Sequence, residues 1–212
     1  ALDHLDAILA NCDAVMVARG DLGVEIPLEE VPIAQQKIID SALELGMPVI
    51  VATQMLETMT VNPRPTRAEV SDVSTAIRQG ATGVMLSGET ASGKYPVESV
   101  QTMSRVAVST EQGLQSSDLK PESATRFKST RAVAHAGVEL AKMAGASRIL
   151  VATERGNAPR LVSSYRPGIP VTAVTDSLVT ARRIQILSGV DSVIVEEYER
   201  GSKTMQNAIA LQ

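Results

Sequence analysis

Short apolar runs of strand type recur along the first half of the chain at a regular interval. They begin at Ala14 (AVMVA), Val49 (VIVAT) and Gly83 (GVMLS), so their starts are 35 and 34 residues apart. Runs that are rich in β-branched residues and show little polar alternation are typical of parallel strands buried on both faces. The segments between the runs have helical spacing. This alternation predicts βα units whose parallel strands are joined by right-handed crossovers.

Three helices are predicted in and after those segments. The first closes at Gly46 with Pro48 just beyond it, the second opens with the capping box TRAE at residues 66–69, and the third begins at Pro96. The apolar positions expected on their inner faces are Ile33, Ile38, Ala42, Leu45, Val70, Val73, Ile77, Val97, Val100 and Ala107.

The interval between strands becomes shorter in the second half. Residues 112–128 (QGLQSSDLKPESATRFK) are polar and predict a domain linker. Beyond a helix over residues 130–144, apolar runs begin at Ile149 (ILVAT), Val171 (VTAVT) and Ser192 (SVIVEE), which are 22 and 21 residues apart. Two intervals on either side of a polar linker predict two α/β domains, residues 1–115 and 116–212. The longer interval is that of a (β/α)8 barrel, which three units cannot close.

Charge and composition argue against several classes of protein. Twenty basic and 24 acidic residues give a net charge of −4, which argues against nucleic acid as a partner. One cysteine and two histidines argue against a zinc site. No apolar run is long enough for a membrane span or resembles a signal peptide, so we expect no membrane partner and a cytoplasmic location. The chain begins with Ala inside one helical pattern and stops in another, so we expect both ends to be cut.

All three strands of the first half end in side chains that can bind a ligand. The first ends in ARGD (residues 18–21), the second in Thr53 and Gln54, and the third in SGET (residues 87–90). Active sites of barrel enzymes lie at the carboxyl ends of strands. Asp21 suits Mg²⁺ but can equally cap the turn that follows it. The Thr53 hydroxyl can serve beside a carboxylate or a developing enolate, or simply finish a strand, and the SGET turn can be structural.

Three longer segments carry a specific resemblance. VMVARGDLGVEIPLEEVPIAQQKII, VIVATQMLETMTVNPRPTRAEVSDV and GVMLSGETASGKYPVE resemble the consecutive hallmark segments of pyruvate kinases, in the family's order and spacing. They cover most of residues 14–100, and the second half resembles the family's C-terminal domain in layout. The resemblance implies an α/β fold: the last βα units of a TIM (β/α)8 barrel, followed by a parallel three-layer α/β C-terminal domain that is incomplete here.

Pyruvate kinases transfer a phosphoryl group from phosphoenolpyruvate to ADP, giving pyruvate and ATP in glycolysis. The resemblance implies that Asp21 ligates Mg²⁺ or Mn²⁺ and that Gly20 and Asp21 lie against the substrate. It makes Thr53 the catalytic threonine near the carbon that is protonated, whereas Arg19 and Arg67 match arginines with structural and subunit-contact roles. It also implies K⁺ in the whole enzyme, with ligands outside this chain, and a homo-oligomer that is a tetramer in the family.

Parts of the family's site are not found in this sequence. The resemblance assigns the catalytic lysine and a second metal-binding glutamate to positions before residue 1, so we expect the chain alone to be inactive. In the second half, residues 153–157 (TERGN) join a strand to a helix, and in regulated pyruvate kinases the matching loop binds a phosphorylated effector. The candidate phosphate ligands are Thr153, Arg155, Gly156 and Asn157. A plain connection is the alternative, because Glu154 adds negative charge there.

Two further functions stay open from the sequence. Arg19-Gly20-Asp21 is an RGD tripeptide, as found in adhesion ligands, although three-residue matches have a high false-positive rate. The chain can also be a non-catalytic regulatory or scaffold fragment that keeps the fold and lacks the chemistry. A coupled assay on this chain separates enzyme from fragment, and a cell-attachment assay tests the adhesion hypothesis.

Overall fold

Each half of the chain forms its own three-stranded parallel sheet. The structure, a computed structural model, describes residues 2–114 and 128–195. Contacts divide the chain into two units, one comprising Ala1–Leu43 and Met47–Gln115, the other Glu44–Gly46 and Ser116–Gln212. The strands at Val49 and Ile149 belong to different sheets.

The first unit alternates strands and helices as the apolar runs predict. Its sheet has the order β1-β2-β3, with β1 paired to β2 and β2 to β3 in parallel register. The elements are α1 (Leu5–Leu9), β1 (Val15–Ala18), α2 (Arg19–Glu25), α3 (Val31–Glu44), β2 (Val49–Ala52), α4 (Arg67–Arg78), β3 (Gly83–Met85), α5 (Gly88–Ala91) and α6 (Pro96–Gly113).

Three predicted helix ends are confirmed: two helix starts and one helix end. The Thr66 side chain accepts from the Glu69 N–H while the Glu69 carboxylate accepts from the Thr66 N–H, so both halves of the capping box are present at the start of α4. Pro96 is at the first turn of α6. Gly46, just beyond α3, has a φ of +63°, a left-handed conformation that glycine adopts without a steric penalty.

The inner face of two helices differs from the predicted one. Three expected inner positions are instead 54% to 70% exposed: Ile33, Val97 and Val100. The buried residues of α6 are Ser99, Thr102 and Met103. The Ser99 hydroxyl donates to the Tyr95 carbonyl one turn back, at 2.7 Å, so its burial leaves no unpaired donor. Small hydroxyl residues can therefore occupy a close-packed helix contact that apolar spacing alone would not select.

The second unit has the strand order β4-β5-β6, again fully parallel. A central cluster of Val138, Leu161, Val171, Ala173 and Ile184 forms much of its core. Its elements are α7 (Lys128–Met143), β4 (Ile149–Ala152), α8 (Asn157–Ser164), β5 (Val171–Thr175), α9 (Leu178–Arg183) and β6 (Val190–Ile194).

Two predicted boundaries in the second half need correction. Strand β6 begins at Val190 rather than Ser192, because Gly189 turns the chain with a φ of +66° and Val190 already pairs with Val171. The predicted linker starts inside a helix, since α6 continues through Gly113. The rest of that linker up to residue 127, and the end of the chain from residue 196, lie outside the described residues. Among the helices that the structure describes, none is long and apolar enough to cross a membrane.

Candidate functional site

The carboxyl ends of β1, β2 and β3 meet at one edge of the first sheet. Ala18 is paired with Ala52, and Ala52 is paired with Met85. The chain leaves all three strands at this edge, so the three polar stretches that follow them start from neighbouring points. Parallel pairing in register is therefore what brings these distant parts of the sequence together.

Gly20 and Thr53 are in direct contact at this edge. The Gly20 N–H donates to Thr53 Oγ1 over 2.8 Å. A Cβ on residue 20 would lie 3.4 Å from that same oxygen, so the bare glycine backbone leaves room beside the hydroxyl. The resemblance implies that Gly20, Asp21 and Thr53 bind the substrate, and this contact joins two of them.

Thr53 and Gln54 adopt a backbone conformation that their side chains disfavour. Their φ angles are +71° and +52°, in the left-handed region. A left-handed residue other than glycine costs about 1–2 kcal/mol, and a β-branched residue such as threonine is a rare case. Such strain persists only where the surrounding structure holds it, and it is frequent at active sites.

Arg19 holds this strained turn. Its Nε and Nη2 donate to the Thr53 carbonyl at 3.2 and 2.8 Å, and Nη2 also donates to the Gln54 carbonyl at 2.9 Å. Nη1 forms an ion pair with Asp72 of α4. The arginine side chain is only 11% exposed. This engagement argues against the adhesion hypothesis, because an RGD ligand must present its arginine to a receptor.

Asp21 has no partner among the described residues. It is exposed and lies in the first turn of α2, and its side chain makes no hydrogen bond there, which argues against the turn-cap alternative. Its carboxylate is therefore available to a cation. Within residues 2–114 and 128–195, no group of three or more His, Cys, Asp or Glu could hold a metal ion by itself. The residues present fit Mg²⁺ bound through one protein carboxylate, with water and substrate oxygens as further ligands.

Glu89, in the SGET turn, is buried in the protein. It is 1% exposed, and its two oxygens accept from the Leu56 N–H at 3.0 Å and the Ser87 N–H at 2.8 Å. Glu89 therefore has a structural role in this turn. From the sequence, a structural role was one of the two hypotheses for the SGET residues, and ligand binding was the other. The sequence analysis predicted no specific role for Glu89. The signal that could have indicated one is a glutamate among small residues shortly after a strand.

Glu69 ties the segment after β2 to the start of α4. Its carboxylate accepts from the Thr58 N–H and from the Thr66 N–H, each at 2.7 Å. Partial burial by itself would raise the pKa of Glu69, but these hydrogen bonds outweigh burial and lower the pKa below its usual value. The helix cap thus also fixes the loop that follows the strained turn.

In the second unit, a single internal hydrogen bond closes the TERGN loop. The buried Thr153 hydroxyl accepts from the Gly156 N–H at 2.9 Å. Gly156 has a φ of +82°, and a Cβ there would lie 2.8 Å from an Ile184 methyl group, so only glycine fits. Arg155 and Asn157 are exposed. The third residue of α8 is a proline, so this helix start has one backbone N–H fewer to offer an anion.

Two family profiles match most of this chain. The one described as pyruvate kinase, barrel domain, matches residues 1–100, and the one described as pyruvate kinase, alpha/beta domain, matches residues 131–211. The chain belongs to the pyruvate kinase family. The two parallel sheets lie in these two matched ranges, so the predicted fold of pyruvate kinase barrel units followed by its α/β domain is confirmed.

Individual pyruvate kinases align along nearly all of this chain. Pyruvate kinase 2 of Synechocystis sp. is 46% identical over 211 residues, which are 99% of this chain and 35% of that protein. Pyruvate kinase of Geobacillus stearothermophilus is 47% identical over 193 residues, 88% of this chain and 32% of that protein. A crystal structure of a pyruvate kinase from Cryptosporidium parvum matches with a TM-score of 0.88 and 38% identity, covering 99% of this chain and 43% of that one. The chain therefore spans about a third of the length of these curated pyruvate kinases.

Proposed function

We propose that this chain supplies part of the active site of a pyruvate kinase, which transfers a phosphoryl group from phosphoenolpyruvate to ADP in glycolysis. The observation that carries the proposal is the contact between Gly20 and Thr53, with the unpartnered Asp21 carboxylate next in sequence. These are the three residues that the family resemblance assigns to substrate and metal. The proposal also takes the division near residue 115 as the boundary between the catalytic domain and the C-terminal domain.

The Gly20–Thr53 contact suggests how a substrate carboxylate is bound. A threonine hydroxyl can donate as well as accept, so an incoming carboxylate can accept both the Gly20 N–H and the Thr53 hydroxyl proton. The 2.8 Å bond between the two groups would then be replaced by two bonds to the substrate. In this geometry Thr53 is beside the reacting enolate, where its hydroxyl can take part in proton transfer to the methylene carbon.

Asp21 is the proposed ligand for Mg²⁺ or Mn²⁺. When bound, the cation supplies positive charge that offsets the negative charge on the phosphoryl and carboxylate oxygens. Asp21 orients that charge beside Gly20 and leaves the remaining coordination positions to water, to substrate and to residues outside this chain. The family's second metal carboxylate belongs to that outside set, and the resemblance places the family's catalytic lysine outside these residues as well.

Other properties of the family stay predictions for this chain. They are the binding of ADP and ATP, a requirement for K⁺, assembly into a homo-oligomer and a cytoplasmic location. Binding of a phosphorylated effector by Thr153, Arg155, Gly156 and Asn157 is also a prediction, and the Glu154 carboxylate and the missing N–H of Pro159 make it the weaker one.

A chimeric enzyme tests the proposed function. In this chimera, residues 1–212 replace the matching segment of pyruvate kinase 2 of Synechocystis, to which they are 46% identical. We expect metal-dependent formation of pyruvate from phosphoenolpyruvate and ADP in a coupled assay. In the chimera, Asp21→Asn should raise the Mg²⁺ concentration needed for half-maximal activity and lower kcat severely, with the circular dichroism spectrum unchanged.

The competing hypothesis is a regulatory or scaffold segment that keeps the fold without the chemistry. It predicts a folded but inactive chimera, or an active chimera in which Asp21→Asn has no effect on metal dependence. Exposed Glu29 offers a matched control, because Glu29→Gln removes one negative charge outside the three strand-end stretches. Equal losses of activity in the two variants would contradict the assignment of Asp21.

A further inference from the structure

Glu89 is a buried carboxylate for which neither substrate nor metal binding accounts. Its side chain is 1% exposed, although it lies in α5, four residues beyond the end of β3, at the edge of the sheet where the proposed site is located. Burying a carboxylate is costly unless its oxygens are hydrogen-bonded. Both oxygens of Glu89 are bonded, and both donors are backbone N–H groups.

The two N–H groups belong to segments that follow two neighbouring strands. One is that of Ser87, two residues beyond the end of β3, and the other is that of Leu56, four residues beyond the end of β2. The carboxylate therefore ties the exit of β3 to the exit of β2. Met55 and Leu56 are fully buried at 0% exposure, so the segment held by Glu89 is firmly packed.

That segment also contains the strained turn at Thr53 and Gln54. Arg19 donates to the carbonyl oxygens of both residues from the β1 side, and Glu89 accepts the Leu56 N–H from the β3 side. The two charged side chains thus hold residues 53–56 from opposite sides, one through carbonyl groups and one through an N–H. The position of the Thr53 hydroxyl depends on this segment.

We propose that Glu89 is a positioning residue for Thr53, which acts by fixing residues 53–56 in the geometry that the reaction needs. This inference rests on the proposed function. An amide in place of the carboxylate offers one acceptor oxygen and one donor nitrogen, so one of the two N–H groups loses its acceptor. The segment then shifts or loosens, and a displacement of about 1 Å at a catalytic group can cost on the order of a hundredfold in rate.

The test compares Glu89→Gln with Thr82→Val in the chimera. The Thr82 hydroxyl accepts from the Val49 N–H at 2.6 Å and donates to the Val49 carbonyl at 2.7 Å. It therefore joins the same two neighbouring strands, but at their amino ends, away from Thr53. Four quantities are measured for each variant: kcat, KM, the melting temperature, and hydrogen exchange in peptides that cover residues 53–60.

We expect Glu89→Gln to lower kcat by roughly ten- to a hundredfold with little change in KM for ADP, and to speed exchange in residues 53–60. Thr82→Val should lower the melting temperature while kcat stays close to that of the parent chimera. Equal losses of kcat in the two variants, or unchanged exchange in Glu89→Gln, would overturn the proposal. If Glu89→Gln does not fold, Glu89→Asp makes the same comparison, because it keeps the carboxylate but withdraws it by one methylene.

An inactive parent chimera would count against the proposed function and not against the positioning role. The exchange measurement needs no activity, so it decides separately whether Glu89 holds residues 53–56.

Discussion

Replacing Arg19 by lysine should release the strained turn that carries Thr53. The left-handed conformations of Thr53 and Gln54 together cost about 2–4 kcal/mol. Hydrogen bonds to a charged donor contribute about 1.5–3 kcal/mol each, and Arg19 donates to both carbonyl groups. The arginine thus supplies about as much free energy as the strained conformation requires. A lysine ammonium has no planar fork, so it cannot reproduce the paired contacts.

The expected loss can be expressed as a population. Water can replace the bond at exposed Gln54, so we take the net loss of free energy as about 2 kcal/mol, which lowers the equilibrium constant for forming the native turn by roughly 30-fold. Because strain and contacts nearly balance in the parent, the native turn becomes the minor conformation in Arg19→Lys, and we expect kcat of the chimera to fall by roughly 10- to 30-fold. Single-turnover and steady-state assays at saturating substrate measure this change.

Asp72→Asn provides the matched control for this prediction. It removes the ion pair with Arg19 but leaves the bonds from Arg19 to the two carbonyl groups. Asp72 is 36% exposed, and ion pairs with an exposed partner contribute about 1 kcal/mol or less. We expect a much smaller loss of kcat than in Arg19→Lys. Full activity of Arg19→Lys, or equal losses in both variants, would refute the reasoning that the carbonyl contacts hold the turn.

Two other predictions concern pH and the isolated chain. Because the pKa of Glu69 is lowered in the folded state, its contribution to stability is present above its usual value of 4.5 and is lost as the pH falls below it. The melting temperature of Glu69→Gln should thus lie below that of the parent near neutral pH and approach it in acid; a constant difference would contradict this. Residues 1–212 alone should not convert phosphoenolpyruvate and ADP, because a single carboxylate holds Mg²⁺ weakly. Metal-dependent turnover by the purified chain, free of other kinases, would show that the missing ligands are wrongly placed.

The sequence by itself determined the features that depend only on residues close together in the chain, so these could be predicted from it. The capping box at residues 66–69, the helix start at Pro96 and the glycine that ends α3 all appear where the pattern predicts them. The starts of β2 and β3 also agree with the apolar runs. These features follow from side-chain chemistry and backbone freedom within a few residues, which a single sequence shows directly.

The arrangement around Thr53 was decided only by the tertiary structure. Arg19 is 34 residues from the carbonyl that it binds and 53 residues from Asp72, and Glu89 is 33 residues from Leu56. Sequence patterns contain no signal for such pairs, because they meet only when parallel strands are paired in register. The intrinsic backbone preference of Thr53 even opposes its observed conformation, since a β-branched residue disfavours a φ of +71°. Contacts from two distant charged side chains outweigh that preference, so the conformation of the site is a property of the assembled sheet.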